Sequence, residues 1–332
     1  MTLGIVKDIL YKVSNKRFLS FFKNQSIFPY YHIVNDSKVA HIEYLYPFKN
    51  HKQFTDDLEV LTKHFQPLNP KNIISNKASK NTFLLTFDDG LQEIYSVIYP
   101  TLKKFNLSAI FFINPDFVDN KKGLHKHFSS IIISYLSNNG FGKSTLDAIS
   151  QKLSFTYNSI EDFKKKLINI KFSQKEKIDE ICSFLNIDTE SYLKEHKLYV
   201  TKEQIQEMID DGFYFGGHTM SHPPLEQLSH EEQKREIIDS IDWLKENFNI
   251  NYSFFSFPYS DKTVSKKLIL ELFEYDNNLR LFGNSGLKKD IDKRIIQRFS
   301  LENPQKQIEK RIVTENLYKY FNILVGKYKV KR

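Results

Sequence analysis

The stretch FLLTFDDGLQEIY, residues 83–95, constrains this chain more than any other. A run of apolar and β-prone residues passes directly into two adjacent acids and a glycine. Asp-Gly between apolar runs is also a strong hairpin signal, and a hairpin would require the residues after Gly90 to alternate as a second strand. They do not alternate. Ile94, Ile98, Leu102 and Phe105 recur at helical spacing, with Leu91 and Val97 flanking the same face. The segment therefore reads as strand, tight loop, helix. In an α/β protein that junction lies at the carboxyl end of a strand, where the loops carry chemistry. Asp88 and Asp89 are thus candidate site residues.

The neighbouring segments extend the pattern. SIFPYYHIV reads as a strand, QFTDDLEVLTKHF as a helix with Phe54, Leu58, Leu61 and Phe65 on its apolar side, and SAIFFIN as a strand buried on both faces. Alternating strands and helices predict a wound α/β sheet or barrel. From about residue 119 to residue 199 the chain becomes Lys-rich and helical, with segments such as HFSSIIISYLS and SIEDFKKKLINI and no convincing strand, which predicts an inserted helical subdomain. The α/β pattern resumes with QIQEMIDDGFYFGGHTMSHPPLEQL: a helix closing near Gly212, a short strand, and a loop bearing His218 and His222. HEEQKREIIDSIDWLKENF is a further helix and YSFFSFPYS a further strand. After Ser260 the signals weaken to one or two elements of open type, followed by a basic C-terminal helix in NLYKYFNILVGKYKVKR. The resulting division is an amphipathic N-terminal helix (1–27), a barrel (28–118 and 200–302), the insertion (119–199) and the C-terminal helix (303–332).

Composition excludes several classes. The single cysteine, Cys182, rules out a disulfide framework and a cysteine metal site. The net charge of +8 favours anionic partners such as phospholipid surfaces or acidic glycans. That charge is spread thinly and no aromatic–basic motif accompanies it, so nucleic acid is not the expected partner. No apolar run approaches the length of a spanning helix. The first residues, MTLGIVKDILYKVSNKRFLSFFKNQ, fail as a signal peptide because Lys7, Asp8 and Lys12 interrupt the apolar core, so a cytoplasmic location is expected. The same residues form a basic amphipathic pattern, with Ile5, Ile9, Leu10 and Val13 on one side. Such a helix lies on a membrane surface or packs on its own domain.

His218 and His222 stand four residues apart. Gly216 and Gly217 before them and Pro223 and Pro224 after them disfavour a long helix, leaving a strand-end loop with a tight turn. Two imidazoles and one carboxylate make a three-ligand face with positions left for water and substrate, the layout of catalytic zinc and non-haem iron sites. A second carboxylate beside the ligand has a separate use. It accepts the proton of a metal-activated water as that water attacks a carbonyl. The developing oxyanion needs a metal or backbone N–H partner, and a leaving amine needs a proton donor, most naturally a histidine.

At this point the chain resembles the polysaccharide deacetylases of carbohydrate esterase family four. The resemblance rests on TFDDG at 86–90, HTMSH at 218–222 and FSFPYS at 255–260, and it covers roughly residues 28–118 and 200–300. It implies a distorted (β/α) barrel, here carrying the helical insertion, and metal-dependent removal of acetyl from an N-acetylated sugar of a polysaccharide; the lysines of the insertion and the amphipathic N-terminus would also suit an anionic or lipid-linked glycan. Asp88 is then the general base. Asp89, His218 and His222 hold a divalent metal, zinc first, with cobalt, nickel, manganese or iron(II) as alternatives. Tyr259, with Pro258 before it, lies at the oxyanion and substrate side. Two departures stand out. Many members begin the third motif with an arginine that steadies the base, and here that position is Ser256. The usual late acid histidine is absent, since no histidine follows His230. His32 in PYYHIV resembles the YH segment of the circularly rearranged branch that includes biofilm-polysaccharide deacetylases, and it takes the general-acid role. His125 and His127 are alternatives for that role or for substrate contact. The insertion is expected to cover or extend the cleft. Competing readings are an O-acetyl esterase, a glycan-binding module that has lost turnover, and a membrane-surface scaffold.

Overall fold

The computed structural model describes residues 3–22, 24–75 and 80–332. Eight strands pair in one row, all in parallel: β1 (Pro29–Tyr31), β2 (Leu85–Phe87), β3 (Ala109–Ile113), β4 (Tyr214–Gly217), β5 (Phe254–Ser256), β6 (Arg280–Gly283), β7 (Ile295–Gln297) and β8 (Phe299–Ser300). The row runs β8-β1-β2-β3-β4-β5-β6-β7, so β7 and β8 are its two edges. Only Arg298 separates them in sequence. The chain itself therefore bridges the seam, and with helices around it the sheet forms the distorted (β/α) barrel that the motifs implied.

Every residue of β3 is buried, as a strand covered on both faces requires. Its side chains divide by parity. Ala109, Phe111 and Ile113 join Phe87, Phe215 and the helix residues Leu58 and Leu61 in one cluster, whereas Ile110 and Phe112 join Phe254 and Phe282 in another. Aromatic rings run through the first cluster, with Phe87 stacked on Tyr31 and on Phe111 at centroid separations of 5.9 and 5.1 Å. The helix expected after the acid pair begins as a wide π turn over Ile94–Ile98 before the α-helical stretch Tyr99–Lys104. Pro100 in its first turn has no N–H to give to the carbonyl four residues back.

Between β3 and β4 the chain runs through helices His125–Asn139, Lys143–Lys152, Ile160–Ile168, Lys175–Phe184, Thr189–His196 and Lys202–Asp210. The first five enclose a cluster containing Phe128, Ile132, Leu146, Phe163 and Ile178, which also takes in Ile33 and Ile42 from the loop after β1. At the end of β4 the glycine pair is a packing requirement. A Cβ on Gly217 would stand 2.3 Å from Ser240 Oγ on helix His230–Phe248, and one on Gly216 would stand 2.6 Å from the Phe112 ring.

Helix Leu3–Val13 and the 3-10 turn Lys16–Phe22 occupy the segment read as one amphipathic helix; Met1, Thr2 and Lys23 lie outside the described residues. They pack on the last helix, where Lys7 bonds Glu315 at 2.6 Å and Ser14 Oγ lies 2.9 Å from Thr314 Oγ1. That last helix is Ile308–Leu324, inside the 303–332 segment read as the C-terminal helix, and it ends before Gly326, whose φ is +67°. Buried Ile308, Ile312 and Val313 supply its apolar face. The elements left open after Ser260 are a helix, Lys266–Tyr275, and the strands β6, β7 and β8. These strands are two to four residues long, too short to show a period.

Candidate active site

All the motif residues stand at the carboxyl ends of the barrel strands. Asp88 and Asp89 follow β2, His218 and His222 follow β4, Tyr259 follows β5, and His32 follows β1. They share the wall of a cavity of about 330 Å³. A larger hollow, about 610 Å³, opens beside Phe28, Arg280 and Ile295 near the amino ends of the strands and contains none of these residues.

The backbone is strained where the chemistry collects. Asp89 (φ 73°), Thr219 (67°), His222 (56°) and Tyr259 (53°) all adopt the left-handed region, which non-glycine residues occupy at a cost that the surrounding structure must sustain. Gly90, at φ +64°, completes the turn after the acid pair. Asn114 Nδ2 donates to the carbonyls of both His218 and Thr219. Glu236 accepts from the backbone N–H groups of Met220 and Ser221 at 2.8 and 3.1 Å. The histidine loop is thereby tied down on two sides.

Asp88 is buried and held by an arginine that lies outside the three motifs. Arg298, 1% exposed at the barrel seam, donates to Asp88 Oδ1 and Oδ2 at 2.8 Å each, to Thr86 Oγ1 at 2.8 Å, and to Ser256 Oγ. This pair answers the first departure: Ser256 stands where an arginine is usual, and a guanidinium from the far end of the sheet fills the space beside it. Burial raises the pKa of Asp88, but Arg298 and His218 outweigh it and leave the carboxyl below its ordinary value. It is ionised at neutral pH.

Asp89, His218 and His222 converge separately, with one potential ligand atom from each lying within 4.8 Å of the others. His218 Nδ1 donates to the Ser256 carbonyl at 2.7 Å. A carbonyl can only accept, so Nδ1 carries a proton and Nε2 is the ring nitrogen turned inward. That nitrogen lies 3.4 Å from Asp89 Oδ1, and His222 Nε2 lies 3.2 Å from the same oxygen. Among the described residues Asp89 Oδ1 has no hydrogen-bond partner, although it is buried. A buried carboxylate oxygen faced by two imidazole nitrogens fits a bound cation, and two imidazoles with one carboxylate suit zinc and its first-row neighbours.

His32 faces this group from β1. Its Nδ1 donates to Glu302 Oε2 at 2.8 Å, while Glu302 Oε1 accepts from the backbone N–H groups of His32 and Ile33 at 2.7 and 3.3 Å. Tyr46 lies against the ring at a centroid separation of 5.0 Å. Burial pulls the His32 pKa down, but Glu302 and the Asp89 and Asp88 carboxylates outweigh it and push the value up to about 10. An acid that delivers its proton loses activity as pH rises through its pKa. Removing the Glu302 charge in Glu302→Gln lowers that pKa, so the alkaline limb of the rate profile is expected to move to lower pH by about 1–3 units, the worth of one close opposite charge. A pH–rate profile of the variant checks this, and an unmoved limb speaks against His32.

Tyr259 lies in the cavity wall with its ring 4.7 Å from that of His222, and no hydrogen bond among the described residues takes up its backbone N–H. Pro258 is buried behind it, and the wall on this side is Phe257 and Tyr259. Asp261, bound by Arg332 and Gln297 at 2.7 Å each, fixes the far end of that loop. The opposite wall comes from the helical segment between β3 and β4, through Leu124, Lys126, His127, Ile168 and Asn169. His127 thus reaches the cavity, whereas His125 lines a separate hollow beside Phe128 and Phe172.

The family model described as "Polysaccharide deacetylase" matches residues 75–140 and 169–277 of the chain. The match spans the acid pair, the histidine loop and Tyr259, and stops short of His32, Arg298 and Glu302. No curated protein matches the chain. Among solved structures, the Streptococcus pyogenes deacetylase PplD in complex with acetate is similar at 17% identity, covering 89% of this chain and 97% of that one, with a TM-score of 0.54. IcaB from Ammonifex degensii is similar at 14% identity, with 88% and 97% covered and a TM-score of 0.52. A de-N-acetylase from Aggregatibacter actinomycetemcomitans is similar at 14% identity, with 86% and 97% covered and a TM-score of 0.52. At these identities the likeness is one of fold.

Proposed function

The chain belongs to the polysaccharide deacetylase family, a family of hydrolytic enzymes, and on that premise we propose that it removes N-acetyl groups from sugars of a polysaccharide or lipid-linked glycan. The observation that carries this reading is the meeting, in one cavity, of a fixed carboxylate base, a three-residue cluster fit for a cation, and a protonated histidine. When bound by Asp89, His218 and His222, a divalent cation, zinc by preference, supplies Lewis acidity and lowers the pKa of water. The residues of the chain do the rest. Asp88, kept ionised and aligned by Arg298, takes the proton from the attacking water. The backbone N–H of Tyr259 is free to hold the developing oxyanion. His32, aligned by Glu302, gives its proton to the departing amine nitrogen.

The test is acetate release from N-acetylated and O-acetylated glycans by the metal-loaded protein. Release from N-acetylated sugars is expected. Release from O-acetyl esters alone would make the protein an esterase, and binding without release from any substrate would make it a glycan-binding module.

No helix among the described residues is long and apolar enough to cross a membrane. We propose a cytoplasmic, membrane-peripheral placement, supported by the outward apolar side chains Ile5, Ile9, Val13 and Phe21, at 49, 49, 65 and 73% exposure, beside exposed Lys12, Lys16 and Arg17. Such a face suits an anionic bilayer surface. The chain is expected to float with vesicles containing phosphatidylglycerol and to lose that binding in Ile9→Asp/Val13→Asp; binding unchanged by the substitutions would remove this placement.

A further inference from the structure

The two sides of the cavity differ in what they leave unpaired. One side carries the carboxylates. The other, brought in by the helical segment after β3, offers hydrogen-bond donors that have no acceptor among the described residues.

His127 is 1% exposed and lines the cavity. Its Nδ1 lies 2.7 Å from Tyr199 Oη, and Tyr199 Oη already accepts from the backbone N–H of Leu124 at 2.9 Å. Among the described residues His127 Nδ1 is the only acceptor within reach of the Tyr199 hydroxyl proton, so Nδ1 accepts. In the neutral ring the proton then sits on Nε2. That N–H is buried and, among the described residues, meets no atom able to accept it. Tyr46 Oη, also in the cavity wall, is likewise buried and without a hydrogen-bond partner among the described residues.

Lys126 completes the arrangement. It lies partly buried in the same wall with its ammonium 5.0 Å from the centre of the Tyr259 ring, and among the described residues no carboxylate lies within ion-pair distance. Both residues sit in the first turn of helix His125–Asn139, whose N-cap, Leu124, offers no side-chain cap. No hydrogen bond among the described residues takes up the backbone N–H groups of His125 and Lys126. A helix start with free N–H groups favours an anion. Here it coincides with an unpaired ammonium and an orphaned, buried imidazole N–H.

We propose that Lys126 and His127 form a binding subsite for an anionic oxygen group, phosphate or carboxylate, that the substrate carries beside its N-acetylated sugar. The inference rests on the deacetylase reading for its substrate and narrows it: the sugar is charged close to the acetamido group. A neutral N-acetylated sugar would leave the Lys126 ammonium without a counter-charge, whereas a phosphate or carboxylate would pair with it and accept from His127 Nε2.

Calorimetric titration of the full chain with N-acetylglucosamine, N-acetylglucosamine 1-phosphate and 2-acetamido-2-deoxyglucuronate tests this without requiring turnover. At least one charged sugar is expected to bind about tenfold or more tightly than the neutral one, the worth of a hydrogen bond to a charged group. Which charged sugar binds better distinguishes phosphate from carboxylate. Lys126→Met is expected to collapse the ratio toward one, Lys126→Arg to keep most of it, and added salt to reduce it in the wild type. Equal binding of neutral and charged sugars by the wild type, or a ratio untouched by Lys126→Met, overturns the proposal. A protein that releases acetate from neutral sugars and shows no charge preference fails here while remaining a deacetylase. A protein with the charge preference and no acetate release keeps the subsite and loses the activity.

Discussion

Arg298→Met is expected to destabilise the protein by about 3–5 kcal/mol at neutral pH, the cost of leaving a buried charge without its partner. Arg298 and Asp88 are 1% and 4% exposed, and the arginine also bonds Thr86, Ser256 and the Gly283 carbonyl. The pair therefore ties the seam between β7 and β8 to the end of β2. The effect has a pH signature. In the wild type the Asp88 pKa lies below its ordinary value despite burial, chiefly because of Arg298. A carboxyl of depressed pKa contributes stability that is present above its unfolded pKa and is lost as pH falls through the folded one. In Arg298→Met burial is no longer offset by the guanidinium, so the pKa rises and the carboxyl takes up its proton earlier on acidification. The stability gap between variant and wild type should be widest near neutrality and should narrow as pH falls. Urea unfolding at a series of pH values reads both, and equal midpoints at neutral pH would show that the pair does not hold the seam.

Asp88→Asn is expected to lower the rate of acetate release about 10²–10⁴-fold, the usual contribution of a general base. The asparagine keeps the shape of the side chain and one oxygen acceptor for Arg298, but it cannot take a proton. Asp89, His218 and His222 are untouched, so metal content should match the wild type, and this separates loss of the base from loss of the site. The substitution also leaves Arg298 without a counter-charge, so rates are compared at a temperature where both proteins are folded. A rate within a few-fold of the wild type would remove Asp88 as the base.

Asp88, Asp89, His218 and His222 were legible because each pair is contiguous or nearly so in sequence, and the flanking strand and helix periods place them at a strand end. His32 was singled out through a resemblance to a two-residue YH segment, and the structure places it in the same cavity. Arg298 and Glu302 were not. Their partners lie 210 and 270 residues away, and their roles exist only because the barrel closes there. The clue was Arg298 in RIIQRFSL, set between the β-prone Ile295 and Ile296 and the following Phe299. Beside a motif lacking its usual arginine, that run was a place to look.

The account turns on a cation held by Asp89, His218 and His222 beside the Asp88 base. Its most direct test is acetate release from an N-acetylated glycan by chelator-stripped protein as a divalent cation is titrated back. Release is expected to be absent at the start and to reach its plateau at one cation per chain. Undiminished release from the stripped protein, or none at any loading of a folded protein across N-acetylated substrates, would contradict it.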